Sequence, residues 1–122
     1  MDLWAYRDKP VVEAIVGMLN NVDIKVNLRY VKLSVLAKAR ASRETQAIVA
    51  SWGAGGTADA AATLGNHFAA DSNRNWTRDK QVTEWVMAAE GTVDKGKRID
   101  LYRKALKRIA EQAYVAVIAL SL

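Results

Sequence analysis

The residues best placed to do chemistry lie between Thr45 and Asp59, in the stretch TQAIVASWGAGGTAD. A tryptophan, Trp52, closes a short apolar run and is followed at once by Gly53, Ala54, Gly55 and Gly56. An indole at such a point could form a rigid apolar wall for a ligand, with bare glycine backbone offering N–H and C=O groups beside it. Its plain alternative is to plug the top of a sheet. The run Gly53–Ala58 also satisfies G-x-G-x-x-A, but the match to a dinucleotide site is weak. That fingerprint wants an acidic residue ending the next strand about 20 residues on, and here the distance lands at Asp71 in a polar stretch. No lysine follows the glycines, as a phosphate-cradling loop of the other common type requires.

Other chemistry is sparse. The single histidine, His67, has no serine or cysteine partner for nucleophilic catalysis, and the chain has no cysteine at all. One imidazole and no thiol leave little for a zinc or copper site. Asp8, Asp59, Asp79 and Asp94 stand where helices begin, so capping accounts for them. Trp76 and Trp85 read as packing residues. No catalytic group, metal ligand or cofactor is expected.

The elements that must position Trp52 follow from periodicity. Ala47–Ala50 has the unbroken apolar character of a strand buried on both faces, placed within 46–52. Asp59 opens a helix behind the glycines. Ahead of it, Leu3–Tyr6 forms a first strand, and Asp8 with Pro10 starts a helix to about Leu19. Ile24, Val26, Leu28 and Tyr30 alternate with polar residues, the mark of a strand with one wet face at a sheet edge. Lys32–Arg40 is a helix with Leu33, Leu36 and Ala37 inward. Right-handed crossovers then give the spatial order 2-1-3. The switch point lies between strands one and three, whose carboxyl ends are Tyr6-Arg7-Asp8 and Trp52-Gly53. Tyr6, Arg7, Trp52, Gly53, Ala54 and Gly55 are therefore the candidate ligand-binding residues.

The second half reads as helices at 59–68, 78–90 and 94–113. Val82, Trp85, Val86 and Ala89 face inward on one, and Leu101, Tyr102, Ala105, Leu106, Ile109 and Ala113 on the last. Val115–Leu120 is a final buried-type strand. The fold class is α/β, a three-layer open sheet, mainly parallel, with β-α-β-α-β followed by three helices and a strand.

The 122 residues form one domain, 51% hydrophobic and with a single proline, which argues for a packed body. The net charge of +5 would suit nucleic acid or an anionic membrane, but the basic run between Asp94 and Ala113 reads more simply as a solvated helix face. No apolar run approaches a membrane span, and no signal peptide is expected because Asp2 follows Met1.

Three segments carry a family resemblance. AYRDKPVVEAIVGMLNNVDIKVNLRYV resembles a helix–strand unit of the bacterial extracellular solute-binding proteins of the oligopeptide, dipeptide and nickel importer class. IVASWGAGGTADAAATL is similar to that family's strand-Trp-loop, and RDKQVTEWVMAAEGTVDKGKRIDLYRKALKRIAEQAYVAVIAL to its C-terminal pattern. The resemblance implies a periplasmic-binding-protein type II-like lobe that is not an enzyme. It would bind a peptide-like or other small solute with a second lobe and deliver it to the membrane subunits of an ABC importer, in the periplasm. It implies an excised or truncated domain prone to form homo-oligomers. Gly55 stands where peptide-binding members carry an aspartate for the peptide amine, which argues against that clamp here. The family's prolines near the final strand are also missing, with Tyr114 and Ala119 in that region. The alternatives are a stand-alone basic module binding nucleic acid and a small nucleotide-dependent enzyme.

Overall fold

The first five elements are β1 (Asp2–Ala5), α1 (Lys9–Asn20), β2 (Asn27–Tyr30), α2 (Leu33–Ala41) and β3 (Ala47–Val49). They are seen in a computed structural model that describes residues 1–53 and 59–118. The chain divides into two compact units, Met1–Trp52 and Gly53–Leu122.

The first unit is a parallel sheet in the expected order β2-β1-β3. Leu3 pairs with Leu28 on one side and Ala47 on the other, and Trp4 with Arg29 and Ile48. Because side chains alternate along a strand, β1 serves two cores at once. Leu3 and Ala5 pack with Val12, Ile15 and Val16 of α1, whose i, i+3, i+4 spacing makes one stripe. Trp4 points the other way, onto Leu36 and Ala39 of α2. This unit is three-layered: helix, sheet, helix.

Several boundaries move. Only Asn27–Tyr30 of the alternating segment pairs in the sheet, because the residues before it finish α1. The amide of Ile24 bonds the Leu19 carbonyl at 3.0 Å, and that of Val26 bonds Asn20 Oδ1 at 3.2 Å. Leu33 and Ala37 do not face inward: Leu33 is 56% exposed, and Leu36 with Ala39 form the buried pair. The face of α2 is set by contact with Trp4, which keeps Leu36 inward as expected and adds Ala39. β3 spans 47–49 and uses both its faces, Ala47 and Val49 toward α1 and Ile48 toward α2, but as an edge strand it is half-buried. Asp8 does not cap α1 with its side chain; its backbone is left-handed (φ 54°) and its carboxylate pairs with Arg7 at 3.1 Å.

The second unit contains α3 (Ala61–Phe68), α4 (Lys80–Glu90) and α5 (Lys95–Glu111). Leu64 and Phe68 of α3, Val82, Val86 and Ala89 of α4, and Tyr102, Ala105 and Ile109 of α5 form a single core. Heptad-like spacing produces it, i, i+4, i+7 on α4 and i, i+3, i+7 on α5. Asp79 and Asp94 cap their helices as expected, accepting from Gln81 and Val82 and from Lys97. Asp59 accepts from the Ala61 amide at 2.8 Å, so α3 starts two residues later than expected.

Two members of the expected α5 stripe fail. Leu106 is 50% exposed. Ala113 lies beyond the helix with φ 51°, the left-handed residue of a Schellman ending: its amide bonds Ala110 O and the next bonds Ile109 O, both at 3.1 Å. The same ending closes α1 at Asp23 and α2 at Arg43, both left-handed. The expected final strand is not formed over residues 115–118, which pair with no strand among the described residues; 119–120 lie outside them. An apolar run becomes a strand only where a neighbour offers free backbone groups in register.

Candidate functional site

In a parallel sheet all strands end on the same edge, so the carboxyl ends of β1 and β3 are neighbours. Arg7 leaves β1 and Ser51 leaves β3, and Arg7 Nη1 donates to Ser51 Oγ at 2.7 Å. That bond ties together the two chain ends that flank the switch point. The guanidinium also meets Asp8, and the Tyr6 side chain first, then Asp8, raise it above its ordinary range. Arg7 is thus a held, permanently charged group with half of its side chain in solvent. Trp52 follows Ser51 and is 43% exposed, where a fully buried indole would mark a plug. Tyr6 is half-buried and packs with the Trp4 core. Gly53 is exposed, whereas Ala54 and Gly55 lie outside the described residues. Tyr6, Arg7 and the end of β3 are therefore brought to one edge, as the sequence led us to expect.

The opposite end of the sheet is closed by charge. Asp2 accepts from Asn27 Nδ2 at 2.9 Å and from Arg29 Nε at 2.7 Å, and the Arg29 guanidinium lies 5.2 Å from the Trp4 ring centroid. Asn27 first, then Arg29, outweigh desolvation and hold the Asp2 carboxyl below its ordinary range. This network braces the edge strand β2.

His67 Nδ1 sits 2.9 Å from the Thr63 carbonyl, one turn back on α3, and donates to it. Among the described residues no three histidine or acidic side chains gather as a metal site would need, and no helix is long and apolar enough to cross a membrane.

Two features of the second unit were missed in the sequence. Asp79 is 5% exposed and does more than cap: Oδ2 accepts from Arg108 Nε at 2.6 Å and from the Tyr114 hydroxyl at 2.9 Å. Burial would raise this carboxyl, but Arg108, Tyr114 and the Val82 amide together hold it below its ordinary range. The same bond pushes the Tyr114 phenol up. Second, a groove of about 790 Å³ runs along α5 over Ile99, Tyr102 and Leu106. At one wall Arg98 pairs with Asp59 at 2.8 Å and lies over the Tyr102 ring. The signal for the groove was present: Ile99 and Leu106 are seven residues apart and so share a helix face.

No protein-family model matches the sequence, and no curated protein matches it significantly. Solved structures do. The crystal structure of a peptide-binding protein of a peptide ABC transporter superposes over 93% of this chain with a TM-score of 0.81 and 25% identity. The fold is that of part of an oligopeptide/nickel-type solute-binding protein. The solute-binding fold recurs in the unliganded open form of MppA, a periplasmic murein tripeptide binding protein, at TM-score 0.77 and 19% identity, again over 93% of the chain. NikA from Brucella suis, in complex with Fe(III)-EDTA, matches over the same share at TM-score 0.73 and 16% identity. The chain spans 53% of the first structure, 23% of MppA and 24% of NikA.

Proposed function

We propose that this chain is a non-catalytic ligand-binding part of an ABC-importer solute-binding protein, for a peptide-like or other small solute. The observation that carries this reading is the Arg7–Ser51 bond, which joins the carboxyl ends of β1 and β3 beside the exposed Trp52. Ligands of open α/β sheets lie at that position. Trp52 offers apolar area for a side chain or a peptide plane, the Gly53 backbone offers hydrogen-bonding groups, and Arg7 offers a cation for a carboxylate. The structural neighbours named for peptide binding support the solute class.

On this reading a second lobe closes over the solute, the membrane subunits of an importer receive it, and the site of action is periplasmic. Nucleic acid is not a partner. An open half-site buries too little of a ligand for tight binding, so the chain alone binds di- and tripeptides with Kd no better than about 1 mM, on the order of 4 kcal/mol.

The experiment is titration of the chain with a di- and tripeptide set, followed by indole fluorescence and by amide shifts in NMR. Weak binding that moves the amides of Arg7 and Ser51–Gly53 and is lost in Trp52→Ala supports the reading. Micromolar binding by this chain alone, or shifts elsewhere only, refutes it.

A further inference from the structure

We infer that the groove on α5 is a docking surface for an acidic amphipathic helix of a partner protein. The proposal concerns residues of the second unit only and does not rest on the ligand site at Trp52.

The floor of the groove is apolar. Ile99 is 47% and Leu106 50% exposed, although both carry branched apolar side chains that favour burial. Tyr102 lies between them, its ring covered by Arg98. Ile99, Tyr102 and Leu106 occupy i, i+3 and i+7 on one helix, the spacing an incoming helix would meet with anchors of its own. From Lys95 to Lys107 the groove covers about 18 Å of α5, room for roughly three turns of a second helix.

The rim settles the charge of the partner. Lys95, Arg103 and Lys107 line it at intervals of eight and four residues, and Arg98 at the wall is already neutralised by Asp59. Arg103 and Lys107 each have one solvent-exposed carboxylate neighbour on their own helix, Asp100 and Glu111, pairs of the kind worth little in water. Lys95 makes no ion pair among the described residues. An apolar floor with a basic rim is complementary to a helix with leucine-type anchors flanked by glutamate or aspartate. A duplex or an anionic bilayer would use the cations but has no need of two exposed anchors seven residues apart.

The test uses the full chain and a labelled synthetic peptide of about 14 residues, alanine-rich, with leucines at i, i+3 and i+7 and glutamates on both flanks. Its twin carries lysines in place of the glutamates. Fluorescence anisotropy should show the acidic peptide binding at least tenfold tighter than the basic one, more weakly as salt is added. Leu106→Asp and Ile99→Asp, both at exposed positions, should each lose at least tenfold with an unchanged circular dichroism spectrum. The triple variant Lys95→Glu, Arg103→Glu, Lys107→Glu should reverse the preference and take the basic peptide. Equal affinity for the two peptides, or indifference to Leu106→Asp, overturns the proposal. Tighter binding to a DNA duplex or to phosphatidylserine vesicles than to the acidic peptide overturns it as well.

Discussion

Asp79 and Arg108 meet at 2.6 Å although they are 29 residues apart, one at the start of α4 and the other in the last turn of α5. The same carboxylate holds two amides of α4 with its other oxygen and the Tyr114 hydroxyl beyond α5. A capping residue is thereby also the clasp between two helices.

Removal of this clasp should be expensive. Asp79→Ala loses the cap and leaves the Arg108 guanidinium and the Tyr114 hydroxyl without their acceptor, so a loss of about 3 kcal/mol is expected. Asp79→Asn keeps part of the cap and should cost less. Urea unfolding of the three proteins measures both; a loss under about 1 kcal/mol for Asp79→Ala would show that the clasp is ornamental.

Acid should act through the same group. Asp79 and Asp2 both have folded carboxyls lowered below their ordinary range. A group lowered in the folded state stabilises fully above its unfolded value, about pH 4, and that stabilisation disappears as pH falls through the lower folded value. Stability should therefore be flat from neutral pH down to about pH 5 and decline below about pH 4. In Asp79→Asn the decline should be shallower. A parallel fall in both proteins, followed by thermal melts between pH 2 and 7, would assign it to other carboxyls.

Two small-residue exchanges should raise stability. Ala113 holds a left-handed backbone (φ 51°) that costs an L-residue about 1 kcal/mol, so Ala113→Gly should gain roughly that amount. Gly65 sits inside α3, where alanine is favoured by about 1 kcal/mol. A β-carbon there would meet the Glu90 carboxylate, but that is the far end of an exposed, flexible side chain that can swing aside. Gly65→Ala should thus gain about 0.5 kcal/mol. Destabilisation on thermal melting would mean that Glu90 is held where it lies.

Self-association is expected as well. The outer edges of β2 and β3 have no strand neighbour among the described residues, and Val115, Val117 and Ile118 are exposed. Open edges and bare apolar runs recruit other chains. Light scattering should find dimers or larger species at tens of micromolar, and Val117→Lys should shift them toward monomer. A monomer at every concentration contradicts this.

Local physics explains what could be read from the amino acids. The sheet order followed from the alternation of Ile24–Tyr30, which marks an edge, and from the handedness of crossovers. The meeting of Arg7 with the end of β3 followed from that order. What could not be read depended on long-range choices. Ile24 looks like strand, but its amide is taken by the carbonyl of Leu19. Leu106 has the right spacing for the core, yet a helix with a broad apolar face buries only the part its neighbours reach, here Tyr102, Ala105 and Ile109. Ala113 gave no sign of its left-handed turn, because glycine is the usual occupant there. Asp79 read correctly as a cap, but nothing in its neighbourhood pointed to Arg108 or Tyr114.

The central place of β1 has a kinetic consequence. Asp2 already reaches Asn27 and Gln46, 25 and 44 residues on, so the two edges of β1 are both paired only once both later strands have arrived. Closing such loops costs entropy before any contact repays it, and parallel pairing is slow for that reason. Helices α4 and α5 are adjacent in sequence and need no such wait. In refolding, pulsed hydrogen exchange should find the amides of α4 and α5 protected before those of β1. The opposite order would place the nucleus in the sheet.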